Sequence, residues 1–322
     1  MLQKYYEGTS KIINLSTEIG RLLGIVDATH IRKPKTELRR ANRIETIHSS
    51  LQIEGNTLSV DQVTDIFDNV RVIGPAQDIV EVRNAIDVYR DLAGYDPFDH
   101  RSYLKAHKLL MSGLVPGAGK YRIEEVGVFK GAAIAHMAPP AWNVHHLMDQ
   151  LFNYLKESPD NLIIKSCVFH YEMEFVHPFA DGNGRMGRLW QTIILMQENP
   201  VFEFLPIESG ILESQQEYYA MLALSDKDGM ATKFVEYILA LIRDSLAELI
   251  NAQRAVLTDT ERVLYFKEHT DLSEFTRKDY MNMFRSISSA TATRDLKKGV
   301  ERGVLIKEGA NRLTVYKFRV AK

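Results

Sequence analysis

His177-Pro178-Phe179-Ala180-Asp181-Gly182-Asn183-Gly184-Arg185-Met186-Gly187-Arg188 is the stretch from which the rest of this chain can be read. Gly182-Asn183-Gly184 allows backbone angles that residues with a Cβ avoid, so successive N–H groups can turn to one side. At the start of a helix such a nest attracts an anion, because unpaired N–H groups and the helix dipole act together. Arg185 and Arg188 fall on one face of the first helical turn. Two guanidinium forks there suit a polyphosphate better than a single carboxylate. Asp181 would repel phosphate unless a cation sits between them, and a hard oxygen ligand beside phosphates is what Mg²⁺ uses. His177 can take a proton near neutral pH. Phe179, between the chemical groups, reads as an anchor in the core.

Outward from this segment the pattern is mainly helical. Asn161 to Val176 is a largely apolar helix that runs into His177, and a second helix leads away from Gly184 to about Gln197. Cys167, among Ile163, Ile164, Val168 and Phe169, reads as a packing residue. His170 reads as a satisfied helix histidine. Upstream, Thr9 to Leu23 forms an amphipathic helix, followed by the polar stretch Arg32-Lys33-Pro34-Lys35. A helix from Thr36 towards Ile53 carries Ile44, Ile47 and Leu51 at helical spacing and stops at Gly55-Asn56. Ser59 and Gln62 form a capping-box pattern that opens the next helix. Further helices are expected over Ile79–Leu92, Tyr103–Leu110, Val144–Leu155, Gln216–Leu224 and Thr232–Asn251. Gly113, Pro116, Gly117 and Gly119 mark a loop. Val126, Val128 and Phe129, then Gly131 and Ile134, make Tyr121 to Met137 a short β-hairpin, with His136 placed to touch a partner or to pack. His145 and His146 are adjacent and face different sides of their helix, which does not suit a metal pair.

The last segment has another grammar. Arg277–Phe284 and Ser289–Arg302 read as helices on either side of Ser286-Ile287-Ser288. Val304 to Ile306 and Leu313 to Phe318 read as strands around Gly309-Ala310-Asn311. Two helices followed by a hairpin is the order of a winged helix-turn-helix. Residues 255–322 hold fourteen basic and nine acidic side chains, a balance of +5, and the other 254 residues carry −7. A mildly basic tail on an acidic body suggests modules with different partners.

The central segment matches His-x-Phe-x-Asp-Gly-Asn-Gly-Arg-x-x-Arg without a gap. With its eight positions fixed, background composition would produce it at about 10⁻¹⁰ per start site. On this motif the chain resembles the Fic (Fido) family, whose members transfer AMP from ATP to Ser, Thr or Tyr hydroxyls. The resemblance implies that His177 is the general base and that Asp181 holds Mg²⁺. It further implies that Gly182, Asn183 and Gly184 form the anion hole, with Arg185 and Arg188 on the β- and γ-phosphates. The Tyr121 to Met137 hairpin is similar to the family's flap, which aligns a target protein by strand pairing. Tyr218 and Tyr219 match a tyrosine pair that helps hold adenine in similar proteins, with Asp226 where an Asn can occur. A plain core role is the other reading of the pair.

Ser50-Leu51-Gln52-Ile53-Glu54-Gly55 matches the family's inhibitory motif, Ser/Thr-x-x-x-Glu-Gly/Asn. The spacing supports it independently, because Glu54 continues the stripe of Ile47 and Leu51 and turns inward, where a carboxylate needs a cation or donors. Ser50 lies one turn earlier on the same side. In similar proteins the glutamate pairs with the second motif arginine, here Arg188.

The expected architecture is therefore mainly α. A helical region over 1–100 carries the inhibitory helix 36–55, a Fic-type core with its flap spans 101–250, and a winged helix spans 255–322. The expected function is autoinhibited AMP transfer from ATP with Mg²⁺ onto a target protein or the chain itself. Removal of AMP by the same site, or a nucleotide-sensing DNA-binding regulator, stays open. The winged helix admits DNA, through Arg294, Lys297 and the wing's Arg312, or a protein partner, and a homo-oligomer is open. One cysteine excludes an intrachain disulfide, and no apolar run reaches membrane length. With no signal-peptide pattern at Met1 to Glu7, a cytoplasmic location is expected.

Overall fold

The computed structural model describes residues 4–28, 36–130, 133–256, 259–270, 272–284, 287–309 and 314–319. Arg32 to Lys35, Gly131, the His136 side chain, Ser286, Ala310, Asn311, Arg312 and Leu313 lie outside the described residues or side chains. The chain divides into two compact units, residues 1–246 and 247–322.

The first unit is helical. It begins with α1 (Ser10–Ala28), which runs past the expected Leu23 because the buried stripe Ile12, Leu15, Ile19, Leu22 continues to Val26. Then follow α2 (Thr36–Ile53), α3 (Val60–Phe67), α4 (Ala76–Arg90) and α5 (His100–Leu110). The capping box at α3 forms as expected, with Ser59 and Gln62 bonded reciprocally. A two-stranded sheet of β1 (Gly127–Lys130) and β2 (Ala133–Met137) pairs antiparallel, Gly127 opposite Met137. The hairpin is shorter than its sequence suggests. Tyr121 to Val126 is not strand, because the Arg122 N–H donates to the Pro178 carbonyl and not to a ladder.

Next come α6 (Val144–Glu157), α7 (Leu162–Val176), α8 (Asn183–Glu198), α9 (Ile207–Glu213), α10 (Gln215–Asp228) and α11 (Thr232–Val256). The pair α7 and α8 is the core of the unit, with eleven of the fifteen residues of α7 buried on all sides. A helix without a polar face must sit inside the protein. Gly187 permits the close approach, since a Cβ there would lie 2.8 Å from Cδ2 of His170 on α7. α2 packs on α3, α4, α8 and α9. The periodicity does not announce α9, which is two turns long, starts at Pro206 and contains Gly210. Its packing on α2 makes it a helix.

The second unit holds α12 (Asp259–Glu268), β3 (Glu274–Phe275), α13 (Arg277–Met283), α14 (Ser289–Glu301), β4 (Leu305–Glu308) and β5 (Val315–Phe318). Its strands form an antiparallel sheet in the order β3-β5-β4. Val263, Phe266, Phe275, Tyr280, Phe284, Leu296 and Leu305 form its own core. α12 and β3 are additions to the expected two helices and hairpin. The stripe of α12 is disguised by Arg262, a buried charge whose partner is Asp295 on α14, at 2.6 and 2.9 Å.

Candidate functional site

The motif forms the junction between the two core helices. α7 ends at His177, whose φ of 48° and ψ of 62° are left-handed. For a residue with a side chain that conformation costs about 1–3 kcal/mol and persists only where the surroundings impose it. Arg122 imposes it. Its backbone N–H donates to the Pro178 carbonyl at 2.9 Å, and its Nε donates to the His177 carbonyl at 2.7 Å. Its remaining N–H groups reach the carbonyls of Glu124, Pro139 and Val176. The His177 Nδ1 lies 3.3 Å from the Glu174 carbonyl. A carbonyl only accepts, so Nδ1 carries the proton and Nε2 is the basic nitrogen.

Two more braces fix the loop. Asn183 bonds both backbone groups of Phe179 through its side chain, each at 2.9 Å. The Phe179 ring is buried and stacks on His107 at 3.6 Å between centroids. The Gly119 N–H donates to the His107 Nδ1 at 2.8 Å, so Nε2–H donates to the Asp181 carbonyl at 3.0 Å. Burial pushes the His107 pKa down to about 4, which keeps this ring neutral. Gly182, at φ 86°, begins α8, and its side-chain-free face meets Met111, whose Sδ a Cβ would approach to 2.6 Å. The helix has no side-chain cap, and its first-turn N–H groups face the junction with the positive end of the dipole.

A carboxylate from the turn that follows α2 occupies that end. Glu54 Oε1 is 2.7 Å from Nη2 of Arg188, with Arg188 1% and Glu54 30% exposed. It lies so close to α8 that a Cβ on Gly184 would come within 2.2 Å of it. Ser50 accepts from the Arg188 Nε at 3.1 Å through Oγ and from Nη2 at 2.9 Å through its carbonyl. Burial works against the charge on Arg188, but Glu54, Tyr218 and Glu174 together outweigh it and the guanidinium pKa is raised. Arg185 is buried as well. It pairs with Glu81 at 3.1 Å and with Asp181 at 3.0 Å. The two arginines of the expected polyphosphate clamp are thus each bound to a carboxylate.

A crystal structure of a Fic family protein from Desulfovibrio desulfuricans G20 is similar to this chain, with 37% identity, a TM-score of 0.75 and 99% of each chain covered. The chain belongs to the Fic family. The Fic/DOC family profile matches residues 97–195, which include the whole motif. A protein adenylyltransferase fic-1 of Caenorhabditis briggsae is 27% identical over 278 residues, 78% of this chain and 52% of that protein. The structure of residues 134–508 of Fic-1 from C. elegans shares the fold, with a TM-score of 0.62 over 75% of this chain and 74% of that one, at 23% identity. The chain spans about half the length of the curated relatives it matches.

Around the Fic junction the expected residues Ser50, Glu54, His177, Asp181, Gly182, Asn183, Gly184, Arg185 and Arg188 come together. Tyr218 is buried, with its hydroxyl 3.1 Å from Nε2 of His170. His170 Nδ1 lies 2.7 Å from Gln191, and burial pushes its pKa down to about 3, so it is a satisfied structural histidine. Tyr219 is 37% exposed, and Asp226 accepts from the Tyr171 hydroxyl at 2.9 Å. Cys167 is buried, with its thiol pKa pushed up to about 12, which makes it unreactive. Among the described residues no group of three or more His, Cys, Asp or Glu could hold a metal by itself. Arg122, His107 and Glu81 escaped the sequence reading. Each lies in an ordinary helix or loop context, and only its partners in the fold give it a role.

Proposed function

We propose that this Fic chain is a protein adenylyltransferase held off by its own α2, moving AMP from ATP to a Ser, Thr or Tyr hydroxyl of a target protein or of itself. The observation that carries this reading is the Glu54 carboxylate seated on Arg188 at the N-terminus of α8. It marks the junction as an anion site, and it fills that site from within the chain. A triphosphate needs the same guanidinium and the same helix end, so Glu54 and a productive phosphate exclude each other.

With Glu54 withdrawn, Arg188, Arg185 and the N–H groups of Gly182 to Gly184 bind the phosphates. The target oxygen attacks the α-phosphorus, the new O–P bond forms, and the bond to the β-phosphate oxygen breaks, releasing pyrophosphate. His177 Nε2 takes the hydroxyl proton as the bond forms. The residues fit Mg²⁺, since Asp181 is 54% exposed at the loop and offers carboxylate oxygen beside the phosphate position. Bound there, Mg²⁺ would neutralise charge on the departing pyrophosphate. The β1–β2 hairpin suits a target segment that adds by strand pairing, which needs little side-chain information. Removal of AMP would use the same groups, with Glu54 free to orient water.

The second unit supports a winged helix-turn-helix. Its order of helix, strand, two helices and two strands, with β5 between β3 and β4, is consistent with α14 as the recognition helix. DNA is the proposed partner.

Incubation with labelled ATP and Mg²⁺ tests the central reading. The Glu54→Gly variant should label itself at least ~10-fold faster than the native chain, because one charge-assisted pair no longer competes with phosphate. Equal labelling of two folded proteins would reject the brake. No labelling of either, with or without candidate targets, would reject the transferase.

A further inference from the structure

We propose that Glu81 is a positioning residue shared by the brake and the phosphate clamp. Its carboxylate ties the turn that carries Glu54 to the first motif arginine, and the proposal rests on the autoinhibited reading above. Glu81 projects from α4, where its Oε1 lies 3.1 Å from Nη1 of Arg185, with Arg185 6% and Glu81 12% exposed. Its Oε2 accepts from the Asn56 Nδ2 at 2.9 Å. Asn56 stands two residues after Glu54, past Gly55, whose φ of 94° ends α2. The buried Asn56 also donates to the Asp78 carbonyl at 3.2 Å and accepts from the Leu58 N–H at 3.1 Å. A continuous path therefore leads from Arg188 through Glu54, the turn, Asn56 and Glu81 to Arg185, and α8 closes it.

Each side of this ring needs Glu81 for a separate reason. On the brake side, the Glu54 carboxylate reaches Arg188 only while the turn stays against α4. On the clamp side, the Arg185 Nε is buried without a partner among the described residues, so Glu81 and the partly exposed Asp181 fix the guanidinium. Removing one partner of a buried ion pair leaves the other mispositioned and costly. The fold should survive the loss, because Asp78 still anchors Thr57, beyond Asn56, through its N–H at 2.8 Å and its hydroxyl at 2.6 Å, so that only the Glu54 side of the turn loosens.

The two roles give opposite signatures in two backgrounds. At saturating ATP, Glu81→Ala in the otherwise native chain should raise self-labelling roughly three- to tenfold, as the loosened turn releases Arg188 more often. On the Glu54→Gly background the same change should raise the KM for ATP roughly tenfold and leave kcat within about twofold, since phosphate binding loses a fixed arginine. A purely structural role would lower labelling in both backgrounds. Glu81→Gln keeps the volume but cannot accept from both neighbours at once, so it should act in the same directions if the alanine variant melts early. Labelling of the native-background variants at or below the parent rate would overturn the proposal, as would an unchanged KM on the Glu54→Gly background. If Glu54→Gly itself fails to raise labelling, the brake reading fails first. If it succeeds and both Glu81 variants stay silent, only this proposal fails.

Discussion

Glu208, on α9, is 1% exposed and its Oε2 has no hydrogen-bond partner among the described residues. Burial pushes its pKa up to about 7, against the opposing pull of its own backbone bond and of Arg188. In the unfolded chain the carboxyl ionises at its ordinary value near 4.5, so between there and about pH 7 the folded protein holds a proton that the unfolded one has lost. The stabilisation is complete below the lower value and disappears as pH rises through the upper one. Glu208→Gln should therefore melt with the native chain at about pH 5 and a few degrees above it at about pH 8. A melting difference of the same size at both pH values would contradict this. At this scale the sequence was most legible where chemistry is local. His177, Asp181 and the glycines announce an anion site by adjacency alone. Arg122 and His107 act through partners far along the chain, such as the Asp181 carbonyl for His107, and Glu208 through burial that only the fold creates, so spacing holds no trace of them.

Helices with an unbroken apolar stripe or run were legible to within a few residues. α2 stops where Gly55 places its end, and α7 and α8 meet at the motif as the apolar runs require. Elements whose stripe is broken were not legible. α12 hides behind Arg262, α9 is formed by tertiary contact, and β3 is two residues long. α14 is the element with the clearest exposed chemistry, since Ala292, Asp295, Leu296 and Gly299 face its core and Thr293, Arg294 and Lys297 face out. If this face contacts DNA phosphates, affinity should fall as salt rises, through counterion release. Arg294→Ala should then weaken binding to every duplex and lower the slope of log affinity on log salt by about one. Fluorescence anisotropy with labelled duplexes measures both, and no binding at low salt would leave α14 to a protein partner.

Across the whole molecule, the boundary between the units falls inside α11, after Leu246, and the basic excess lies in the second unit while the first is acidic. The acidic unit contains the proposed anion site, so attraction for phosphate there would come from Arg185, Arg188 and a helix end and not from overall charge. No helix among the described residues is long and apolar enough to cross a membrane. The proposed site has two separable parts, a nest and two arginines for the nucleotide, and a histidine for the proton. Pairing ATP calorimetry with labelled-AMP transfer separates them, with His177→Ala made on the Glu54→Gly background. The variant should keep ATP affinity within about threefold and lose transfer by ~10²- to 10⁴-fold, the usual contribution of a general base. Transfer at the parent rate, or loss of ATP binding together with transfer, would rule out His177 as the base.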